Sequence, residues 1–136
     1  MIEDPLEKFE IELTDEAIDA IIKPEYLWGQ ITFILAETRC GTFNVLIKPA
    51  GSHPDVADYY DVDFKAVWGG GYVRITKDKV FFEETSGSFG GIPNIVGRRI
   101  CESVQERIGD SKEVVNILYN GDDNNGDKWG IDFVYY

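Results

Sequence analysis

Apolar residues recur at helical spacing in two places along this chain and at a spacing of two between them. In Leu13-Thr-Asp-Glu-Ala-Ile-Asp-Ala-Ile-Ile22, the residues Leu13, Ala17, Ile18, Ile21 and Ile22 make one stripe of a helix. Thr14 can cap it, and Asp15 and Glu16 then stand in the first turn, where negative charge opposes the helix dipole. Pro24 ends it, so the pattern predicts a helix near residues 14–23. Further on, Ile92, Val96, Ile100, Val104 and Ile108 recur every fourth residue, with Ile95 beside them. That predicts a second amphipathic helix over 93–108, with Gly109 placed to close it.

Between these stripes the period is two. Ile31, Phe33 and Leu35 share one face of a strand; Phe43, Val45 and Ile47 share a face of the next. Arg39-Cys-Gly-Thr42 joins them as a hairpin turn. Pro49 to Asp58 reads as a polar loop. Tyr60, Val62, Phe64, Ala66 and Trp68 then alternate with Asp61, Asp63 and Lys65, which predicts a third strand. Gly69-Gly-Gly71 reads as a turn into Tyr72–Thr76, and Lys77-Asp-Lys79 as a turn into Val80–Glu84. Residues 113–119 and 128–136 read as the last two strands, joined by Asn120-Gly-Asp-Asp-Asn-Asn-Gly-Asp127.

The expected order is α-βββββ-α-ββ. Short turns between strands imply antiparallel neighbours. The expected fold is therefore α+β: a single antiparallel, curved sheet of about seven strands with two helices packed on one face. Phe33, Val45, Phe64, Val73, Ile117, Ile131 and Phe133 are expected on the sheet face beneath the helices, and Ile100 and Val104 opposite them. At 136 residues, 43% apolar and 13% aromatic, the chain reads as a single domain, 1–136, that can bury a core without disulfides or metal.

Charge changes the picture more than composition does. The chain holds 25 acidic and 13 basic residues, a net charge of −12. Residues 1–25 alone carry nine acids against two lysines, a net −7. This excludes nucleic acid and anionic membrane as expected partners, because both are gripped through Lys and Arg. It favours steering toward a basic protein partner. The first residues, MIEDPLEKFEIEL, lack the basic and apolar regions of a signal peptide, and no apolar run reaches the ~20 residues of a membrane span. With Cys40 and Cys101 expected as reduced thiols, a cytoplasmic location is expected.

Candidate chemistry is thin. Gly87-Ser-Phe-Gly-Gly91 before a helix with Arg98 and Arg99 suggests a phosphate cradle, but it lacks GxxxxGK[ST], and Pro93 removes a donor. It also follows an antiparallel meander rather than opening a βαβ unit, so a hinge is expected. The turn 120–127 does not fit a calcium loop: setting Gly126 sixth puts Gly121 first, where a ligating side chain is needed. His53 is the single histidine, and Cys40 its one thiol candidate. No enzyme, cofactor or metal is expected. Asp61 and Asp63, two apart on a strand, would share a face about 7 Å apart, and Tyr59 would share it too.

The expected function is therefore that of an acidic module that neutralises a basic protein, as an immunity protein neutralises a toxin such as a nuclease. The partner would be a toxin or a nucleic-acid-binding protein, held by Asp15, Glu16 and Asp19 of the first helix and by Tyr59, Asp61 and Asp63. Acids steer such an encounter; buried aromatics carry affinity. One alternative is a small-molecule-binding domain or enzyme with a pocket between the sheet and the second helix. Another is a structural subunit that pairs through its edge strands, so the protein would be a monomer or a homodimer.

Overall fold

The computed structural model describes residues 10–22, 30–49, 51–83, 92 and 94–117. Along the chain these form β1 (Ile11–Leu13), α1 (Asp15–Ile22), β2 (Gln30–Glu37), β3 (Phe43–Pro49) and α2 (His53–Tyr59). A 3-10 turn (Phe64–Ala66), β4 (Val67–Ile75), β5 (Lys79–Glu83), α3 (Asn94–Ile108), a second 3-10 turn (Gly109–Ser111) and β6 (Glu113–Ile117) follow. The architecture is α+β, with a six-stranded sheet among the described residues in the order β1-β3-β2-β4-β5-β6.

The sheet is mixed, which corrects the antiparallel expectation. β2 pairs antiparallel with β3 and β4, and β4 with β5. β1 runs parallel to β3, and β6 parallel to β5. The physical reason lies in the connections. A helix between two neighbouring strands carries the chain back to the end it left, so β5, α3 and β6 make a parallel crossover. The same geometry overturns the expectation that no βαβ unit surrounds the glycine-rich stretch. The short β1 has no counterpart in the expected elements; three residues are too few to show a period.

Two apolar clusters flank the sheet. Ile31, Phe33, Leu35, Phe43, Val45, Ile47, Val73, Ile75, Val80 and Phe82 pack against α1 and α3, which contribute Ala17, Ile18, Ile21, Val96, Ile100, Val104 and Ile108. Ile34, Ala36, Leu46 and Val67 pack against Val56 and Ala57 of α2 on the other face. Residues Ile31 to Ala36 are therefore all buried. Each fully buried aliphatic or aromatic side chain contributes about 1.5–3 kcal/mol. α3 touches both β1 and β6, so the sheet curls until its two outer strands meet the same helix. Thr14 caps α1 as its position suggests: its Oγ1 accepts the N–H of Ala17 at 3.1 Å.

The second correction concerns residues 53–75. Among the described residues three helices form rather than two, and α2 occupies what reads as a polar loop. Tyr60 to Ala66 is not a strand; it is the turn that ends α2 and then a 3-10 turn, and only Val67 and Trp68 of the expected strand are extended, as the start of β4. Phe64 consequently stands 47% exposed instead of in the core. Trp68 turns to the α1–α3 side, with its ring edge-on to Phe43 at 5.3 Å between centroids. Gly69, Gly70 and Gly71 are not a turn but the middle of β4, opposite Leu35, Ile34 and Phe33. Close packing requires glycine there. A Cβ on Gly70 would meet His53 Cδ2 at 2.7 Å, and one on Gly71 would collide with the Glu83 carbonyl oxygen and stand 2.8 Å from the Phe33 ring.

Ile117 is also misplaced by the sequence pattern. It pairs with Glu83, in the opposite phase to the inward Phe82, and is 38% exposed. Phe33, Val45, Val73, Ile100 and Val104 are buried as expected. Ile131, Phe133 and the last strand expected at 128–136 lie outside the described residues.

Candidate functional site

The segment Ser52–Phe64 explains itself residue by residue. Ser52 opens α2 with a reciprocal cap: the Asp55 N–H donates to Ser52 Oγ at 3.3 Å, and the Ser52 N–H donates to Asp55 Oδ2 at 2.9 Å. Those bonds to Ser52 hold the Asp55 carboxyl below its ordinary range. His53, Val56, Ala57 and Tyr60 then form the inward stripe of a seven-residue helix. His53 Nε2 donates to the Gly71 carbonyl at 2.9 Å, and its ring meets the Tyr72 ring edge-on at 5.0 Å. Burial pushes the His53 imidazole below its ordinary value, and the bond to Gly71 opposes that only in part. Tyr60 Oη donates to the Ile47 carbonyl at 2.7 Å.

The helix ends in a Schellman turn. The Val62 N–H reaches the Ala57 carbonyl at 2.8 Å, and the Asp61 N–H reaches the Asp58 carbonyl at 3.2 Å. Asp61 takes the left-handed position of this turn, with φ of 55°, where glycine is the usual occupant. Asp63 then caps the 3-10 turn, its Oδ1 accepting the Lys65 N–H at 2.9 Å.

What this leaves outside is a mainly acidic surface, with Lys65 exposed at its end. Asp55, Asp58, Asp61 and Asp63 are all exposed. Between and beside them stand Tyr59 and Phe64, 58% and 47% exposed. The Lys48 ammonium lies 4.5 Å over the Tyr59 ring, and Tyr60 meets the same ring edge-on at 4.9 Å, so Tyr59 is held in place. Asp61 and Asp63 are thus neighbours in a turn, not two residues on one face of a strand.

Asp15, Glu16 and Asp19 are exposed on α1. Asp15 Oδ1 accepts from Arg107 Nη2 of α3 at 2.6 Å. α1 and α2 pack on opposite faces of the sheet, so the structure does not bring the α1 acids together with Tyr59, Asp61 and Asp63. Beside α1 an open groove of about 750 Å³ runs between β1 with Thr14 and Asn44 on one side and Ser103, Glu106 and Arg107 of α3 on the other.

The remaining candidates separate. Cys40 is exposed in the turn before β3 and His53 follows the far end of that strand. Seven residues of strand at about 3.4 Å each put them roughly 20 Å apart. They form no catalytic pair, and Cys40 and Cys101 are not joined in a disulfide. The stretch 84–91 and Pro93, on which the phosphate reading rests, and the turn 120–127 lie outside the described residues. Among the described residues, no three His, Cys, Asp or Glu side chains are placed to share a metal ion, and no helix is long and apolar enough to cross a membrane. Comparison with protein-family models, with curated proteins and with solved structures returned no match.

The α2 surface had one sequence signal. Ser52-His-Pro-Asp55 combines a cap pair with proline near the helix start, and it announces a helix in what reads as a loop. Asp55, Asp58 and Phe64, which the sequence pattern did not single out for the surface, follow from that helix.

Proposed function

We propose that this chain is an acidic binding module that docks on a basic protein and masks it, as an immunity protein masks a toxin such as a nuclease. The observation that carries the reading is the α2 surface: Tyr59 and Phe64 exposed among Asp55, Asp58, Asp61 and Asp63. This is the anatomy of a binding patch for a basic partner. Ordered aromatics supply buried contact area at low entropic cost, and the surrounding carboxylates steer and pair with Lys and Arg. The net charge of −12 extends that attraction beyond the patch.

The geometry favours this over the small-molecule reading. Beneath α3, the space that a ligand would need is filled by Val96, Ile100 and Val104 against the sheet. The groove between β1 and α3 lies at the margin of the sheet and is open.

The test is association kinetics with the protein encoded by the neighbouring gene, measured as salt is raised. Asp58→Asn and Asp61→Asn are expected to slow association at low salt, with the difference fading as the Debye length falls below about 8 Å. Tyr59→Ala is expected to act mainly on dissociation. Salt-independent association, unchanged by all three substitutions, would reduce the surface to a solubility feature. A neighbouring gene of small-molecule metabolism would remove the masking role.

A further inference from the structure

The two outer strands of the sheet end differently, and the difference marks a second site. β6 faces β5 through its odd residues, as the Glu113 N–H bond to the Asp78 carbonyl shows at 2.9 Å. Its even residues therefore turn their backbone groups outward. That edge is capped at its start by a side chain: Gln105 Nε2 donates to the Lys112 carbonyl at 2.8 Å, and its Oε1 accepts the Val114 N–H at 2.8 Å. The amide of Gln105 pairs with the strand as a neighbouring peptide would.

Among the described residues β1 has no such cover. The Phe43 N–H bond to the Glu10 carbonyl, 2.8 Å, sets its phase: even residues face β3, and Ile11 and Leu13 turn their N–H and C=O groups the other way. No described residue bonds to that edge. It opens on the groove of about 750 Å³ shared with Ser103, Glu106 and Arg107 of α3. An edge strand on one side and a helix on the other is the shape into which an extended peptide adds as a further strand. The charge of the walls selects among peptides. Arg107 is already engaged by Asp15. The carboxylates of Glu12 and Glu106 have no cationic partner among the described residues, so the walls are left negative.

The geometry points to the β1–α3 groove as a docking site for an extended, lysine- or arginine-bearing segment of another protein, added as a strand to the edge of β1 that no described residue bonds to. The site stands apart from the α2 surface, which lies on the other face of the sheet, and does not depend on it.

The probe is a short fluorescent peptide of alternating lysine and valine, with glutamate–valine and alternately N-methylated lysine–valine peptides as its controls. The lysine–valine peptide is expected to bind and to shift the amide resonances of Ile11 and Leu13. N-methylation in the register that blocks the ladder is expected to weaken it at least about tenfold, and methylation in the other register to leave it. Glu12→Lys with Glu106→Lys, or Ser103→Trp filling the groove, is expected to abolish binding. Asp61→Asn is expected to leave it intact, which separates this site from the α2 surface. Equal binding of the acidic peptide, insensitivity to N-methylation in both registers, or shifts confined to 55–64 would overturn the proposal. So would a concentration-dependent dimer that Ser103→Trp disperses and the peptide does not, because the edge would then belong to a second copy of this chain.

Discussion

His53 lies against the peptide of Gly71, donating from Nε2 to its carbonyl at 2.9 Å, with its ring in the space that a side chain on Gly70 would occupy. A helix is thereby locked to the middle of a strand through a group that titrates near neutrality. Burial favours the neutral ring and places its pKa below the ordinary 6.5. The folded chain therefore binds fewer protons than the unfolded one in the window beneath that value. The His53 contribution is complete above about 6.5 and declines as pH falls through 6.5 toward the depressed value. Urea unfolding at steps between about pH 7.5 and 5.5, where carboxylates remain ionised, is expected to show this decline. His53→Gln, whose amide can donate to the same carbonyl without titrating, is expected to flatten it. An equal slope in both proteins would assign the effect elsewhere.

Phe33 and Phe64 are a matched pair for testing the fold. Phe33 is fully buried against Phe82, their rings edge-on at 5.5 Å, while Phe64 is 47% exposed. Phe33→Ala is expected to lower stability by about 3–5 kcal/mol. Phe64→Ala is expected to stay within about 0.5 kcal/mol, the range of a surface change. Denaturant titration of the two variants decides it; a large loss at Phe64 would restore the strand that the 60–68 alternation suggests.

Asp61 occupies a backbone position that glycine fills without steric cost. Asp61→Gly is expected to leave the Schellman turn intact and to leave stability equal or higher, by up to about 1 kcal/mol. The same variant is expected to slow association with a basic partner, since it removes an exposed carboxylate from the α2 surface. Thermal unfolding and association kinetics, measured on one preparation, separate the two effects. A variant that loses stability would show that the carboxylate supports the turn itself.

Gln105 serves three backbone groups at once, the carbonyls of Gly109 and Lys112 and the N–H of Val114. Gln105→Ala leaves them to solvent or unpaired, with an expected loss of about 1–3 kcal/mol. Gln105→Glu keeps the acceptor and loses both donations, so it is expected to fall short of full stability too. Amide exchange at Val114 gives a local readout: faster exchange in the alanine variant is expected, and unchanged exchange would mean that the N–H has another partner.

Long periodic elements were legible before any coordinate. The stripe from Val96 to Ile108 lies on α3, Thr14 caps α1, and the β2–β3 hairpin stands in the register that its alternation implies, with Phe33 opposite Ile47 and Leu35 opposite Val45. Strands and helices of this kind state their own burial, because one face must be apolar at a fixed period. The segment 53–71 failed for the converse reason. A seven-residue helix shows less than two turns of stripe, and its stripe includes His53 and Tyr60, whose polar atoms bond to Gly71 and Ile47 across the sheet. The alternation from Tyr60 to Trp68 is real in the sequence but belongs to three different local structures.

The candidate site divides in the same way. Asp15, Glu16, Asp19, Tyr59, Asp61 and Asp63 were all legible as acids or an aromatic for the surface, and all six are exposed. That they fall on two faces of the sheet was not, because it depends on where α1 and α2 pack.

By itself, then, the sequence determined which segments bury a face and how strongly the molecule repels anions, for both follow from residue type and local period. The tertiary structure decided three further things: that β1 and β6 run parallel to their neighbours, that Gly69 to Gly71 lie in a strand beneath a helix, and that Gln105 caps the outer edge of β6 where the strand begins, while no described residue bonds to the outer edge of β1. Each of these depends on contacts between residues far apart in the chain, and no local pattern encodes what a distant backbone will bring against it.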